Sequence, residues 1–85
     1  MDIKTEIKKD GQRIVVSTVI LPSIVFAVHQ TNLGGGWETC LFNDTTGDSE
    51  VVERYTSEDA AQVGHDKYVA LVKDVGYEAA TCVGF

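Results

Sequence analysis

Basic side chains are scarce in this sequence, and that scarcity excludes more than any motif does. Seven lysines and arginines stand against thirteen aspartates and glutamates, leaving a net charge of −6. Such a field repels a phosphate backbone, so direct nucleic-acid binding is not expected. Proline occurs once, at Pro22, and cysteine twice, at Cys40 and Cys82. Two distant thiols are too few for a disulfide framework and are expected to be free and buried. No apolar run approaches the roughly 18 residues of a membrane span. The opening MDIKTEIKKDG alternates instead of forming a signal peptide, so a soluble, intracellular protein is expected.

Catalytic patterns are equally thin. The Gly34-Gly35-Gly36 run precedes no Lys-Ser/Thr pair and opens no helix, so it is neither a P-loop nor a dinucleotide fingerprint. There is no Gly-x-Ser-x-Gly elbow, and both cysteines fall in apolar, strand-like surroundings that would raise a thiol pKa. His29, His65, Cys40 and Cys82 are the soft ligands, and none are paired at ligand spacing. Glu50 with Glu53, and Glu58 with Asp59, project in different directions on their expected elements, which gives no acid/base pair. An enzyme, a bound metal and a cofactor are therefore not expected.

What is present specifies one small α+β domain of 85 residues, 44% apolar. A core this thin would gain stability from dimerisation or a partner. The chain is organised around Glu50 to Gly76. Thr56 or Ser57 can cap a helix over residues 57 to 75, with Glu58 and Asp59 in the first turn, where carboxylates meet the positive end of the helix dipole. Ala61, Tyr68, Leu71, Val72 and Val75 recur at the three-and-four spacing of one buried face. Gly76 closes the helix as a residue free to adopt positive φ. Gly64 costs about 1 kcal/mol against alanine inside a helix, a cost that close approach to the sheet would offset. His65 shares the side of Ala61 and Tyr68 and is expected half-buried, hydrogen-bonded to Tyr55 or to a backbone carbonyl, with ligand binding as the alternative.

Residues 2 to 21 read as a hairpin. Asp10-Gly11 suits a type I′ turn, which puts Ile7 opposite Ile14, Thr5 opposite Val16 and Ile3 opposite Thr18, with Lys8 and Arg13 sharing the other surface. QRIVVSTVIL outlasts its partner, so its far end should pair elsewhere in the sheet. Residues 22 to 36 read as an irregular, glycine-rich excursion, with a buried strand over Ile24 to Val28 as the alternative. Residues 37 to 55 supply two strands. In WETCLF, Trp37, Thr39 and Leu41 face one way and Glu38, Cys40 and Phe42 the other. NDTTGD is dense in turn formers. The tail, residues 77 to 85, is expected either as a short edge strand or as loose chain, with Val83 and Phe85 favouring docking.

Charge is unevenly placed. Residues 1 to 13 carry four cations against three carboxylates, whereas residues 44 to 59 carry Asp44, Asp48, Glu50, Glu53, Glu58 and Asp59 against Arg54 alone. An acidic surface of this kind could occupy a basic surface on another protein; the bland alternative is solubility. An exposed strand edge, from the hairpin or the tail, is open to homodimerisation by sheet extension.

Val16-Ser17-Thr18-Val19, Trp37-Glu38-Thr39-Cys40-Leu41-Phe42, Arg54-Tyr55 with Ser57, and Ala61 with Gly64-His65 occur in one order over about residues 3 to 73. In this the chain resembles a family of small proteins encoded by tailed bacteriophages and prophages. It departs in the loop, where Val28-His29 and Gly35-Gly36 stand in place of an Asp-His pair and a Gly-Pro-Pro turn. The resemblance implies an accessory protein acting in the cytoplasm of an infected bacterial host. Three functions are compatible with these readings. The preferred one is a non-enzymatic protein that occupies a host or phage protein, such as a defence or nucleic-acid-processing factor, through the acidic surface. The second is a small-ligand binder that sequesters a nucleotide signal, using His29, Gly34, Gly35, Gly36, Trp37 and Arg54. The third is a minor virion component.

Overall fold

The computed structural model describes residues 2–21 and 36–84. Strands β1 (Asp2–Lys9), β2 (Gln12–Leu21), β3 (Gly36–Asn43) and β4 (Asp48–Tyr55) form one antiparallel sheet in the order β1-β2-β3-β4, and a single helix, α1 (Glu58–Val83), follows. The fold is the expected α+β arrangement. Asp10 and Gly11 both have positive φ, 54° and 78°, as a type I′ turn demands. That turn sets the β1–β2 register, which pairs Ile7 with Ile14, Thr5 with Val16 and Ile3 with Thr18. The extra length of β2 is used by β3, paired from Ile14–Asn43 to Leu21–Gly36. Gly36 thus opens β3 instead of ending a hinge, while residues 22–35 lie outside the described residues.

In the β3–β4 turn, Asn43 Oδ1 accepts from the backbone N–H groups of Thr45 and Thr46 at 3.0 and 3.1 Å. An asparagine side chain thereby stands in for a backbone acceptor. The β3–β4 ladder then slips between Thr39 and Cys40, leaving Val52 opposite no partner. The resulting bulge turns Val52, 1% exposed, into the core.

The period of two sorts the sheet. Ile7, Ile14, Val16 and Leu41 are buried beneath α1. On the opposite face Val15, Val19, Cys40 and Val51 are half-buried and Phe42 is exposed, because one helix can cover only one side of a sheet. Cys40 is therefore half-buried and Cys82 exposed, which corrects the expectation of two buried thiols. Cys82 lies on α1 rather than in strand-like surroundings. Burial, reinforced by the Glu38 charge, still pushes the Cys40 thiol up.

Ser57, not Thr56, caps α1: its hydroxyl accepts from Ala60 N at 3.1 Å. The buried stripe runs Ala61, Gly64, His65, Tyr68, Val72, Gly76. At 3.6 residues per turn the stripe passes from Val72 to Gly76 and leaves Val75 46% exposed, against expectation; Leu71 packs only partly against the core. Gly76, at φ 87° and ψ 179°, kinks the helix. The chain then becomes helical again through Val83, so the tail is neither an edge strand nor loose. Tyr77 and Ala80, three apart, are the reason: one helical turn carries both into the core, where they are 8% and 0% exposed. Val83 stays exposed, and Phe85 lies outside the described residues.

A kink at this φ and ψ is open essentially to glycine alone. The nearest atoms to a Cβ at Gly76 would be 3.9 Å away, so backbone conformation and not space sets the restriction. Gly76→Ala is expected to destabilise the protein by about 2 kcal/mol in urea denaturation and to make the chain after Tyr77 sensitive to protease. Unchanged stability would show that the kink is not required.

Candidate functional site

Five polar side chains between sheet and helix form one connected chain. Tyr55 Oη donates to Thr39 Oγ1 at 3.1 Å, Thr39 and Thr18 hydroxyls meet at 2.6 Å, Thr18 Oγ1 lies 2.7 Å from His65 Nδ1, and His65 Nε2 lies 2.9 Å from Thr5 Oγ1. All four strands and the helix each contribute, because Thr18 and Thr39 are opposite one another in the β2–β3 ladder and His65 sits one turn past Ala61 on the buried stripe. Each hydroxyl has one hydrogen. Running from Tyr55 through Thr39 and Thr18 uses each in turn, making Nδ1 an acceptor and leaving Nε2–H to donate to Thr5. His65 is thus held neutral. Burial pushes its pKa below the ordinary histidine value, against a smaller upward pull from the Asp66 charge.

Gly64 makes the chain of bonds possible. A Cβ there would overlap the Tyr55 phenol, so the bare helix backbone is what lets Tyr55 lie flat beneath it and reach Thr39. Close approach at Gly64 was expected from the sequence. The partners of His65 were not: they are Thr5 and Thr18, Tyr55 is reached only through Thr39, and His65 is 2% exposed instead of half-buried. The overlooked signal lay in the alternation itself, which put three threonines at core-facing positions on neighbouring strands. Tyr68, next along the stripe, donates to Val52 O at 3.4 Å, and burial pushes its phenol up to about 12. With both ring nitrogens of His65 engaged and the residue 2% exposed, this cluster fastens the helix to the sheet.

The six acidic residues do not form one patch. Asp44, in the turn, lies 3.7 Å from Arg13, which also binds Glu6 at 2.7 Å, and Glu53 binds Lys67 at 2.7 Å. Asp48 and Glu50 sit at the start of the edge strand β4, and Glu58 and Asp59 lie beyond its other end, roughly 25 Å along an extended strand. Among the described residues these four have no cation within ion-pair distance. In the β3–β4 ladder Asp48 and Glu50 stand opposite Asn43 and Leu41, which puts both carboxylates on the helix side of β4; burial, then their charges, push the Tyr77 phenol up. A shallow cleft of about 340 Å³ beside them is lined by Lys9, Asp10, Asn43, Asp48, Tyr77 and Glu78 among others.

Of the residues singled out for a ligand, His29, Gly34 and Gly35 lie outside the described residues. Trp37 and Arg54 are not brought together. Trp37 pairs with Tyr55 and Glu38 with Arg54 on successive rungs, so the two side chains leave opposite faces of the sheet. Arg54 Nε donates to Glu38 at 3.1 Å on the face away from the helix. Trp37 Nε1 is buried with no acceptor among the described residues. Among the described residues no three His, Cys, Asp or Glu side chains are grouped to hold a metal ion, and no helix is long and apolar enough to cross a membrane. Comparison with family models, curated proteins and solved structures gives no match.

Proposed function

We propose that this chain is a non-enzymatic binding protein that engages a basic surface on a partner protein through the β4 edge. One observation carries the reading. Within residues 44 to 59, Asp44 and Glu53 are matched by Arg13 and Lys67, whereas Asp48, Glu50, Glu58 and Asp59 flank one strand edge without a matching cation among the described residues. Unmatched charge of one sign raises association rates and selects partners of the other sign. The phage-type sequence resemblance supports a host or phage protein as that partner, a defence or nucleic-acid-processing factor being the proposed kind, met in the bacterial cytoplasm. Immobilised protein should capture one dominant partner from bacterial lysate, released as salt is raised. Asp48→Lys with Glu50→Lys should reduce capture at least about tenfold. Undiminished capture by that variant would sink the acidic-edge reading.

The Trp37 N–H, buried with no acceptor among the described residues, favours a second reading, a small ligand that supplies an acceptor beside Trp37. A nucleotide held there would stack on the indole, without the Arg54–phosphate contact anticipated from the sequence. Thermal-shift measurement against cyclic and linear nucleotides separates the readings, since saturation at a hundred times Kd adds about 2.7 kcal/mol.

A further inference from the structure

The two open edges of the sheet are built differently. β4 is interrupted by its bulge at Thr39/Cys40, and the end of α1 closes on it: a Cβ at Gly84 would come within 2.7 Å of Val52 O. Bulges and covering elements are how proteins keep an edge from pairing. β1 has neither. Its register against β2 runs unbroken from Asp2–Val19 to Lys9–Gln12, and among the described residues no element lies beyond it.

Lys9 and Gln12 flank the two-residue turn as a hydrogen-bonded pair, so the odd residues of β1 direct their backbone groups at β2. Asp2, Lys4, Glu6 and Lys8 therefore present N–H and C=O outward, and their side chains share the face away from the helix. Lysines on an edge ordinarily discourage pairing. Here the sequence DIKTEIKK makes one self-pairing favourable. If two copies meet antiparallel with Thr5 opposite Thr5, Lys4 falls opposite Glu6 and Asp2 opposite Lys8 on one face, and Ile3 falls opposite Ile7 on the other. Shifting by two residues puts Lys4 against Lys8 and Glu6 against Glu6, or Asp2 against Glu6 and Lys4 against Lys4. Shifting by one residue sends apolar side chains to the polar face. Opposite charges stabilise directly facing pairs and like charges destabilise them, so one register is selected.

We propose that β1 is the interface for a second copy of this chain, joined edge to edge about a twofold axis at Thr5. The product is an eight-stranded sheet with both helices on the same face. Glu6 would then lie between Arg13 of its own chain, 2.7 Å away, and Lys4 of the other. The two Thr5 hydroxyls, each at the end of a His65 hydrogen-bond chain, would face one another across the axis. This interface is separate from the acidic β4 edge, which lies at both outer ends of that sheet.

Sedimentation equilibrium of the full chain tests it. Wild type should weigh twice the 9.2 kDa of one chain at roughly 200 µM, well above the micromolar range of weak interfaces. Lys4→Glu alone and Glu6→Lys alone each set two like-charge pairs across the axis and should weaken the dimer about thirtyfold. Lys4→Glu combined with Glu6→Lys restores opposite charges in this register and should restore the dimer. Both sites of change are exposed, so each variant should keep the wild-type far-UV circular dichroism, and recovery in the double variant tests the register even where one single variant loses stability. A wild-type monomer, leaving the edge to a strand of some other protein, overturns the proposal. So does a dimer indifferent to the single changes, or a double variant that stays monomeric.

Discussion

Gly64→Ala is expected to lower stability by about 3 kcal/mol, the opposite of its effect on an isolated helix. In a solvated helix the change would gain about 1 kcal/mol, because alanine loses less backbone entropy on ordering. Here the new methyl would occupy space held by the Tyr55 phenol. Either the helix lifts off the sheet or Tyr55 swings out. Lifting thins the contact of Ala61, Tyr68 and Val72 with the strands; swinging breaks the Tyr55–Thr39 bond and begins to unravel the buried chain behind it. Overpacking costs about 1–3 kcal/mol and a broken buried hydrogen bond a further 1–3 kcal/mol, which together exceed the propensity gain. In a domain of this size the melting temperature should fall by roughly 15 °C. Tyr55→Ala in the same chain removes the obstacle, so the double variant should be less destabilised than the two single changes summed, by at least about 1 kcal/mol. Strict additivity in that cycle would mean that the two residues do not interfere.

His65→Ala should cost still more, about 4 kcal/mol, through a cavity in the core and two hydroxyls left without their partner. Thr18 is 0% exposed and cannot turn to water for replacement. The same residue gives the wild type a pH dependence of definite sign. Burial depresses the His65 pKa below its ordinary 6.5, so the unfolded chain takes up a proton at pH values where the folded one does not. Stability contributed this way is complete above about pH 6.5 and is lost as pH falls below it, at up to about 1.4 kcal/mol per pH unit, until the folded-state pKa is reached. Urea denaturation at a series of pH values from 7.5 to about 5 should show this loss in wild type and its absence in His65→Ala. A variant with the wild-type slope would assign the titration elsewhere.

How much of this was legible beforehand differs by element. The β1–β2 register could be read because Asp10-Gly11 dictates a two-residue turn, and a turn of known length leaves the flanking strands no freedom of alignment. The helix start could be read because Ser57, Glu58 and Asp59 satisfy and complement orphan backbone N–H groups within one turn. The helix end could not. Gly76 is compatible both with termination and with a kink, and only the burial of Tyr77 and Ala80 chooses between them. The acidic segment was visible as composition, yet its division into matched and unmatched carboxylates depends on where Arg13 and Lys67 come to lie. Trp37 and Arg54 looked like partners until the pleat sent them to opposite faces.

Taken alone, the order of residues determined everything that nearest neighbours along the chain can decide: turn types, strand alternation, the cap and the charge balance. These are local, because each rests on backbone angles or on side chains a few positions apart. The tertiary structure alone decided the His65 bond partners, the contact between Gly64 and Tyr55, and which strand edge lies open. Those depend on groups 9 to 60 positions apart in the chain, brought together only when apolar burial forces helix and sheet into contact and every buried polar atom must find a partner.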